Sequence, residues 1–355
     1  MKAAAVAAAA TVFAWLLLRA ESQTSITLLI VLAVAAAVIA ARLRFRISGP
    51  SVLAFAAAAV LALLLREDDF SLLLITRILI VVVACLGLNV QFGYAGVVNF
   101  AGASFFGVGG YTAAVLAPRL PHVLVLLLGG AAAALVGSIL ILPVLRTRGH
   151  YAALVTIAFA LLFRTFLEVN DTLGGPQGLK LPELVIGPFH FNDPVLEWSF
   201  YLRYVALGLV LVALALAVVQ RLERSWIGVS LDAVRLDEIA AASFGLSIAR
   251  WKIAAFTIGN FITGVAGALS AFMIGFIAPN NYAFSESLIL VSILLLGGIG
   301  NPWGLALASA IVIVLPEKLQ TIQEYRFLLF AAMVILILLF RPAGLLPRPL
   351  RRLKT

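Results

Sequence analysis

The sequence predicts an all-α polytopic integral membrane protein of about 10–12 transmembrane segments, and three observations carry that prediction. First, 63% of the 355 residues are hydrophobic and only 12% are charged, with a mean hydropathy of +1.13. Soluble domains do not have that balance. Second, the apolar residues come in long runs, several of them close to the roughly 20 residues a helix needs to cross a bilayer. Third, the net charge of +9 is unevenly placed. Arg42, Arg44 and Arg46, then Arg146 and Arg148, then Arg341, Arg348, Arg351, Arg352 and Lys354 form basic clusters. The positive-inside rule puts these clusters in the cytoplasm. Glu67, Asp68 and Asp69, and the loop with Asp171, Glu183, Asp193 and Glu197, then fall outside. Charge placed this way sets topology and is no sign of nucleic acid.

The N-terminal part, residues 1–70, begins with Ala3–Leu18, which follows Lys2 in the manner of a signal peptide. No small-x-small cleavage site follows in Arg19–Gln23, so it is read as a span. Further apolar segments cover 24–41, 50–65 and 71–90. Arg77 lies near the outer end of the last, where its stem can snorkel. The stretch Gly87–Thr112 is unusual, with glycines at 93, 96, 102, 107, 109 and 110 among Asn89, Gln91 and Asn99. Glycines alone can serve close helix packing. Backbone at membrane depth leaves the helix only where protein or a water-filled path satisfies it. Glycines and amides together favour a translocation path carrying Asn89, Gln91, Gly93, Tyr94, Gly96, Asn99 and Gly102.

Spans at 101–117 and 122–145 follow, then a cytoplasmic turn, Arg146–His150. In the span Tyr151–Val169, Arg164 stands one turn before Glu168, a spacing that predicts an ion pair. The longest external loop, 170–200, contains GGPQG (Gly174–Gly178) and reads either as a small external cap or as a plain loop. After a span at 201–220 comes the polar stretch Ser225–Lys252. Asp237 is a good N-cap there, Glu238 suits the positive end of a helix dipole, and Gly245 can end a short helix over Ile239–Phe244. Ser247 can cap the next helix. A short rigid helix between two spans can transmit a push; the alternative is an ordinary cytoplasmic loop. Trp251–Ile277 can cross with some tilt, presenting Gly264, Gly267, Ala268 and Ala271 as a small-residue packing surface with Asn260 as its polar exception. Glu286–Ile299 and Trp303–Leu315 are each short for a crossing and read as a shielded hairpin around the turn Gly300–Gly304. A span at Phe327–Phe340 then returns the basic tail to the cytoplasm.

Several function classes are excluded or disfavoured. None of Lys2, Lys180, Lys252, Lys318 and Lys354 follows a glycine, so there is no phosphate-binding GxxxxGK[ST] loop. His122, His150 and His190 are dispersed and no HExxH occurs, which leaves no zinc ligand set. The single cysteine, Cys85, rules out a disulfide framework and a cysteine metal cluster. Ion-coupled carriers usually need an ionisable or densely polar site at mid-membrane, yet the acidic residues lie at span ends or in loops. No catalytic residues, bound metal or cofactor of its own are expected. The residues argue for a membrane channel-former that borrows its energy.

The stretch GLNVQFGYAGVVNFAGASFFGVGGYTAAVL (Gly87–Leu116) resembles the signature of M-type permease subunits of branched-chain amino acid ABC importers. RGHYAALVTIAFALLFRTFLE with the later GGPQGL, then DEIAAASFGLS, then LLLGGIGNPWG through FRPAGLLP, match the same family in order, covering residues 71–347. The resemblance implies an ABC importer permease fold with broken or re-entrant glycine-rich segments, followed by a basic cytoplasmic tail at 348–355. It implies a homologous partner permease, two cytoplasmic ATPase subunits that carry ATP and Mg, an extracytoplasmic solute-binding protein and a place among the lipids of the bacterial inner membrane. It also implies that Arg235, Asp237, Glu238, Ala240, Ala241 and Gly245, within a 225–250 coupling loop, contact the ATPase. Two positions depart from the family pattern: Ala242, where an acidic residue is usual, and Ala101-Gly102, where Gly-His is common. The implied substrates are leucine, isoleucine and valine; urea, short amides or other amino acids are the family alternatives. An ion-coupled amino acid carrier is the rival from outside it.

Overall fold

The computed structural model describes residues 68–146, 151–187, 189–192 and 199–318, with isolated positions on either side that include Gly344–Leu346 and Arg348. The spans expected at 3–18 and 24–41, and most of those at 50–65 and Phe327–Phe340, lie outside the described residues. Among those described, the chain forms ten α-helices: α1 (Asp69–Asn89), α2 (Gly102–Leu116), α3 (His122–Arg146), α4 (Tyr151–Val169), α5 (Tyr201–Arg224), α6 (Trp226–Leu236), α7 (Glu238–Ser243), α8 (Ile248–Ile274), α9 (Phe284–Gly297) and α10 (Pro302–Lys318). Six helical runs are long and apolar enough to cross a membrane, by length and composition: Asp69–Tyr94, α3, α4, α5, α8 and Pro279–Gly297. The last differs from the expected short segment, because a 3-10 turn over Pro279–Tyr282 precedes the helix and lengthens it. Proline and two asparagines had made that turn read as loop.

Capping residues set the helix ends. The Asp68 carboxylate accepts hydrogen bonds from the amides of Phe70 and Ser71 at 3.1 and 3.2 Å, starting α1. α8 ends at Gly275, whose φ of +71° is left-handed. It starts at Ile248, three residues before the expected Trp251, and the Ser247 side chain makes no capping hydrogen bond there. Phe276–Ile277, read as the end of this span, is instead a short strand.

α8 is the centre of the bundle, buried along most of its length against α1, α2 and α3. Lipid supplies no hydrophobic drive between helices, so backbone proximity decides how they associate. The expected small-residue surface provides it. A methyl group on Gly267 would stand 1.8 Å from the Phe106 carbonyl oxygen, and one on Gly109 would stand 2.0 Å from that of Gly264. Ala268 meets Gly129, and Ala271 meets Gly110.

The loop after α4, expected to be external, is built into the bundle. β1 (Leu179–Lys180) pairs antiparallel with β4 (Phe276–Ile277), and β2 (Val185–Ile186) pairs with β3 (Phe189–His190). The GGPQG motif is explained by this contact: a side chain on Gly178 would meet the Ile277 carbonyl oxygen at 2.0 Å. The Val185 amide donates to Nδ1 of His122 at 2.8 Å, tying the loop to the start of α3. Arg164 pairs with Glu168 at 2.8 Å, as the spacing predicts, and also donates to Asn280 at 3.0 Å.

Candidate functional site

Two stretches singled out by sequence lie side by side. The first is the glycine-rich break. α1 runs on into a π-helical turn, Val90–Tyr94, and the chain leaves the helix at Gly96, where φ is +66°. It stays non-helical until α2 begins at Gly102, which packs against Leu88 and Leu290. The freed backbone groups find partners in side chains, as burial requires. The Phe100 amide donates to Thr156 Oγ1 at 3.1 Å, that of Ala101 to Asn99 Oδ1 at 2.8 Å, and that of Ala103 to Ser287 Oγ at 3.0 Å.

Three of the buried amides form one hydrogen-bonded chain, and a fourth, Asn89, bonds separately. Asn99 Nδ2 donates to Gln91 Oε1 at 2.7 Å, and Gln91 Nε2 donates to Asn260 Oδ1 at 2.8 Å. Asn89 Oδ1 accepts from the Gly300 amide at 2.8 Å, joining the break to the α9–α10 turn. Asn89, Gln91, Asn99 and Asn260 are all fully buried. Gln91 faces both Asn99 and Asn260, while Asn89 faces the α9–α10 turn. Unpaired amides at this depth are costly, which favours these bonds, while Nδ2 of Asn89 and of Asn260 find no hydrogen-bond partner among the described residues. Gly93 is required by the same packing, since a side chain there would meet Asn89 Oδ1 at 2.4 Å.

The second stretch is the 225–250 loop. It holds two helices where the sequence suggested one. α6 lies along the bundle with Leu231 and Val234 buried, and α7 follows after the single residue Asp237. The Asp237 carboxylate accepts from the amides of Ile239 and Ala240 at 2.9 and 3.0 Å, as a capping residue should. Glu238 pairs with Lys252 across the loop. Ala241 is buried, and Gly245 closes α7 with a φ of +81°. Ile239 and Phe244 point out of this polar loop, 82% and 88% exposed. The sequence reading took these two as the bounds of the short helix and gave them no contact role; their signal was large apolar side chains flanking an alanine-rich core.

Arg235 was expected beside Asp237 and Glu238 at the rim of a partner. The residue is exposed, and its guanidinium donates to the Gly93 carbonyl at 2.9 Å, linking the loop to the break. Arg348 joins the same point. Its guanidinium grips Asp232 of α6 with bonds of 2.7 and 3.1 Å and lies 4.5 Å from the centre of the Tyr94 ring. Burial alone would lower the Arg348 pKa, but the hydrogen bonds and charge of Asp232 more than offset this and raise it. Among the described residues, no three His, Cys, Asp or Glu side chains converge as a metal site would need.

Comparison with known proteins agrees with the fold and the motifs. The family model described as branched-chain amino acid transport system / permease component matches residues 70–338. The high-affinity branched-chain amino acid transport system permease protein LivM of Salmonella typhimurium is 34% identical over 302 residues, which cover 79% of this chain and 71% of that protein. Its Escherichia coli counterpart is 35% identical over 301 residues, with the same coverage. The LivH permease protein of Escherichia coli is 24% identical over 289 residues, covering 74% of this chain and 90% of that one. No solved structure matches. With its bundle of apolar helices, its buried glycine-rich break and a family match across most of its length, the chain is a multi-pass inner-membrane protein and belongs to the permease components of branched-chain amino acid transport systems.

Proposed function

We propose that this chain is the membrane-embedded permease of an ATP-driven importer that moves leucine, isoleucine or valine from an external binding protein into the cytoplasm. It acts with a homologous permease and two cytoplasmic ATPase subunits, which bind the ATP and Mg; this chain carries no ATPase motif of its own. The observation that carries the reading is α7, a capped six-residue helix that presents Ile239 and Phe244 to the outside. Exposed large apolar groups on a rigid helix suit insertion into a partner's groove.

A push on α7 has a route inward. α6 adjoins α7, Arg235 and Arg348 bond α6 and the tail to the glycine-rich break, and Gln91 bonds the break to Asn260 of α8. Displacement of the loop would therefore reach the helices that enclose the break. The carboxylate caps and buried amides hold geometry; the energy comes from the ATPase partners.

Vesicles holding this chain with the partner proteins encoded beside it test the reading through uptake of labelled leucine. Uptake that needs ATP and binding protein, and survives collapse of the ion gradients, is the expected result. Uptake that persists without ATP and stops with the gradients makes the protein a secondary carrier. Competition by urea, short amides or other amino acids locates the substrate within the family's range.

A further inference from the structure

A cavity of about 230 Å³ lies between α1, α2, α8, α9 and α10. α8 reaches it through Ser270, Met273 and Ile274, its last residues, whereas the α7 loop stands at its first. A 27-residue helix is about 40 Å long, so the cavity sits at the end of the bundle opposite the proposed ATPase-docking helix. Its volume falls below the roughly 300–1,000 Å³ of pockets for drug-sized ligands, which suits a ligand of amino-acid size.

Two chemistries line it. Ile80, Ile289, Ile293 and Val312 make an aliphatic wall, while Arg77, Glu286 and Glu317 bring one cation and two carboxylates. Arg77 lies near the start of an apolar helix, where it was read as able to snorkel; its exposed side chain also reaches Glu317, 3.1 Å away on α10. Ionisable groups within spans are costly and mark substrate sites and pathways. Half of the Arg77 side chain remains exposed, so the guanidinium can meet a ligand while paired.

Building on the importer reading, we infer that this cavity is a binding station for an α-amino acid zwitterion with an aliphatic side chain. Arg77 offers its planar donors to the ligand carboxylate, a geometry guanidinium groups match with two bonds. Glu286 and Glu317 face the ammonium group, and the aliphatic wall takes the branched side chain. A neutral solute such as urea can hydrogen-bond to these groups but lacks the paired opposite charges that a zwitterion presents to them.

Labelling of an engineered thiol tests this in the assembled importer. Ser270→Cys places a thiol in the cavity, and the chain's own Cys85 is fully buried. Leucine should slow modification by a membrane-impermeant maleimide. Isocaproate, which lacks the amine, and isoamylamine, which lacks the carboxylate, should not. The double variant R77Q/E317Q, which strands no charge, should weaken the protection about 10- to 100-fold, the range for losing hydrogen bonds to charged groups. Glu168→Gln, which breaks the ion pair on α4 outside the cavity, should leave it intact. If Ser270→Cys does not assemble, Ile289→Cys gives the same readout from the facing wall. Equal protection by all three compounds, no protection by leucine, or full protection in R77Q/E317Q would overturn the inference. ATP-driven uptake by the same vesicles reports separately: uptake without protection rejects the cavity alone, and no uptake rejects the importer reading with it.

Discussion

Gln91 donates a 2.8 Å hydrogen bond to Asn260, joining the turn that ends α1 to the middle of α8. Both side chains are fully buried, and a methyl group on the facing Gly137 would stand 2.1 Å from Asn260 Nδ2, so the amide cannot rotate away. Replacing either residue by alanine leaves its partner unsatisfied and should cost about 1–3 kcal/mol. A double-mutant cycle should return a smaller coupling, about 0.6 and at most about 1.7 kcal/mol, as interhelical bonds in membranes do. Thermal unfolding in detergent measures both; additive losses would show that the pair does not act as a unit.

The α7 helix should be separable from the fold that carries it. Phe244→Asp, at a side chain 88% exposed, should abolish co-purification with the ATPase while the permease inserts and unfolds as before. Gly245→Val should act in the same direction by a different route. No atom lies within 4 Å of the added carbon, so only the left-handed φ of +81° opposes it. Asp237→Ala removes the cap and should weaken the helix by about 0.5–2 kcal/mol, with a partial loss of association. Full association in all three variants would make this stretch a passive loop.

Close helix contact is the third dependency. Gly267→Ala places a methyl group against the Phe106 backbone, 1.8 Å from an oxygen that no side-chain rotation can move. α2 and α8 must separate to admit it. Overpacking of this kind costs about 1–3 kcal/mol, and the thermal midpoint of the purified protein should fall. Gly109→Ala, at the neighbouring crossing, should behave alike.

Arg348 is the fourth. Its side chain and that of Asp232 are 14% and 20% exposed. Arg348→Ala should cost about 1–3 kcal/mol, below the 3–5 of fully buried pairs because some solvent screening remains. Arg348→Lys keeps the charge and loses the fork, so it should fall between. The raised pKa makes the arginine's contribution complete below its ordinary value, with loss only as pH rises through the higher folded value. Limited proteolysis of the tail, faster in the alanine variant, is the companion measurement.

Much of the fold was legible in the sequence because membrane spans are written in uninterrupted hydropathy and helix ends in local chemistry. Asp237 and Gly245 do what an N-cap and a left-handed stop should, and Gly264 and Gly267 face close neighbours. What could not be read were facts of distance. Nothing local to Arg348 says that it meets Asp232, or that Glu317 meets Arg77 from 240 residues away. The amides of the glycine-rich break were legible as polar groups at depth, but their mutual pairing depends on Asn260, contributed by α8. The hydrogen bond from Arg235 was hidden for the same reason, since it ends on a carbonyl 142 residues earlier.

The two-residue pairing of β1 with β4 gives α8 a fixed attachment at each end. Leu179 pairs with Ile277 just past the helix, and Lys252 in its first turns is tied to Glu238 beside α7. α8 thus has the form of a beam tied at both ends, with the buried Asn260 contact near its middle. A tilt of about 5° about that point carries each tip of a 40 Å rod roughly 2 Å, in opposite directions. Whatever settles on the external loop and whatever grips α7 therefore pull on the same beam, and neither can set its angle alone.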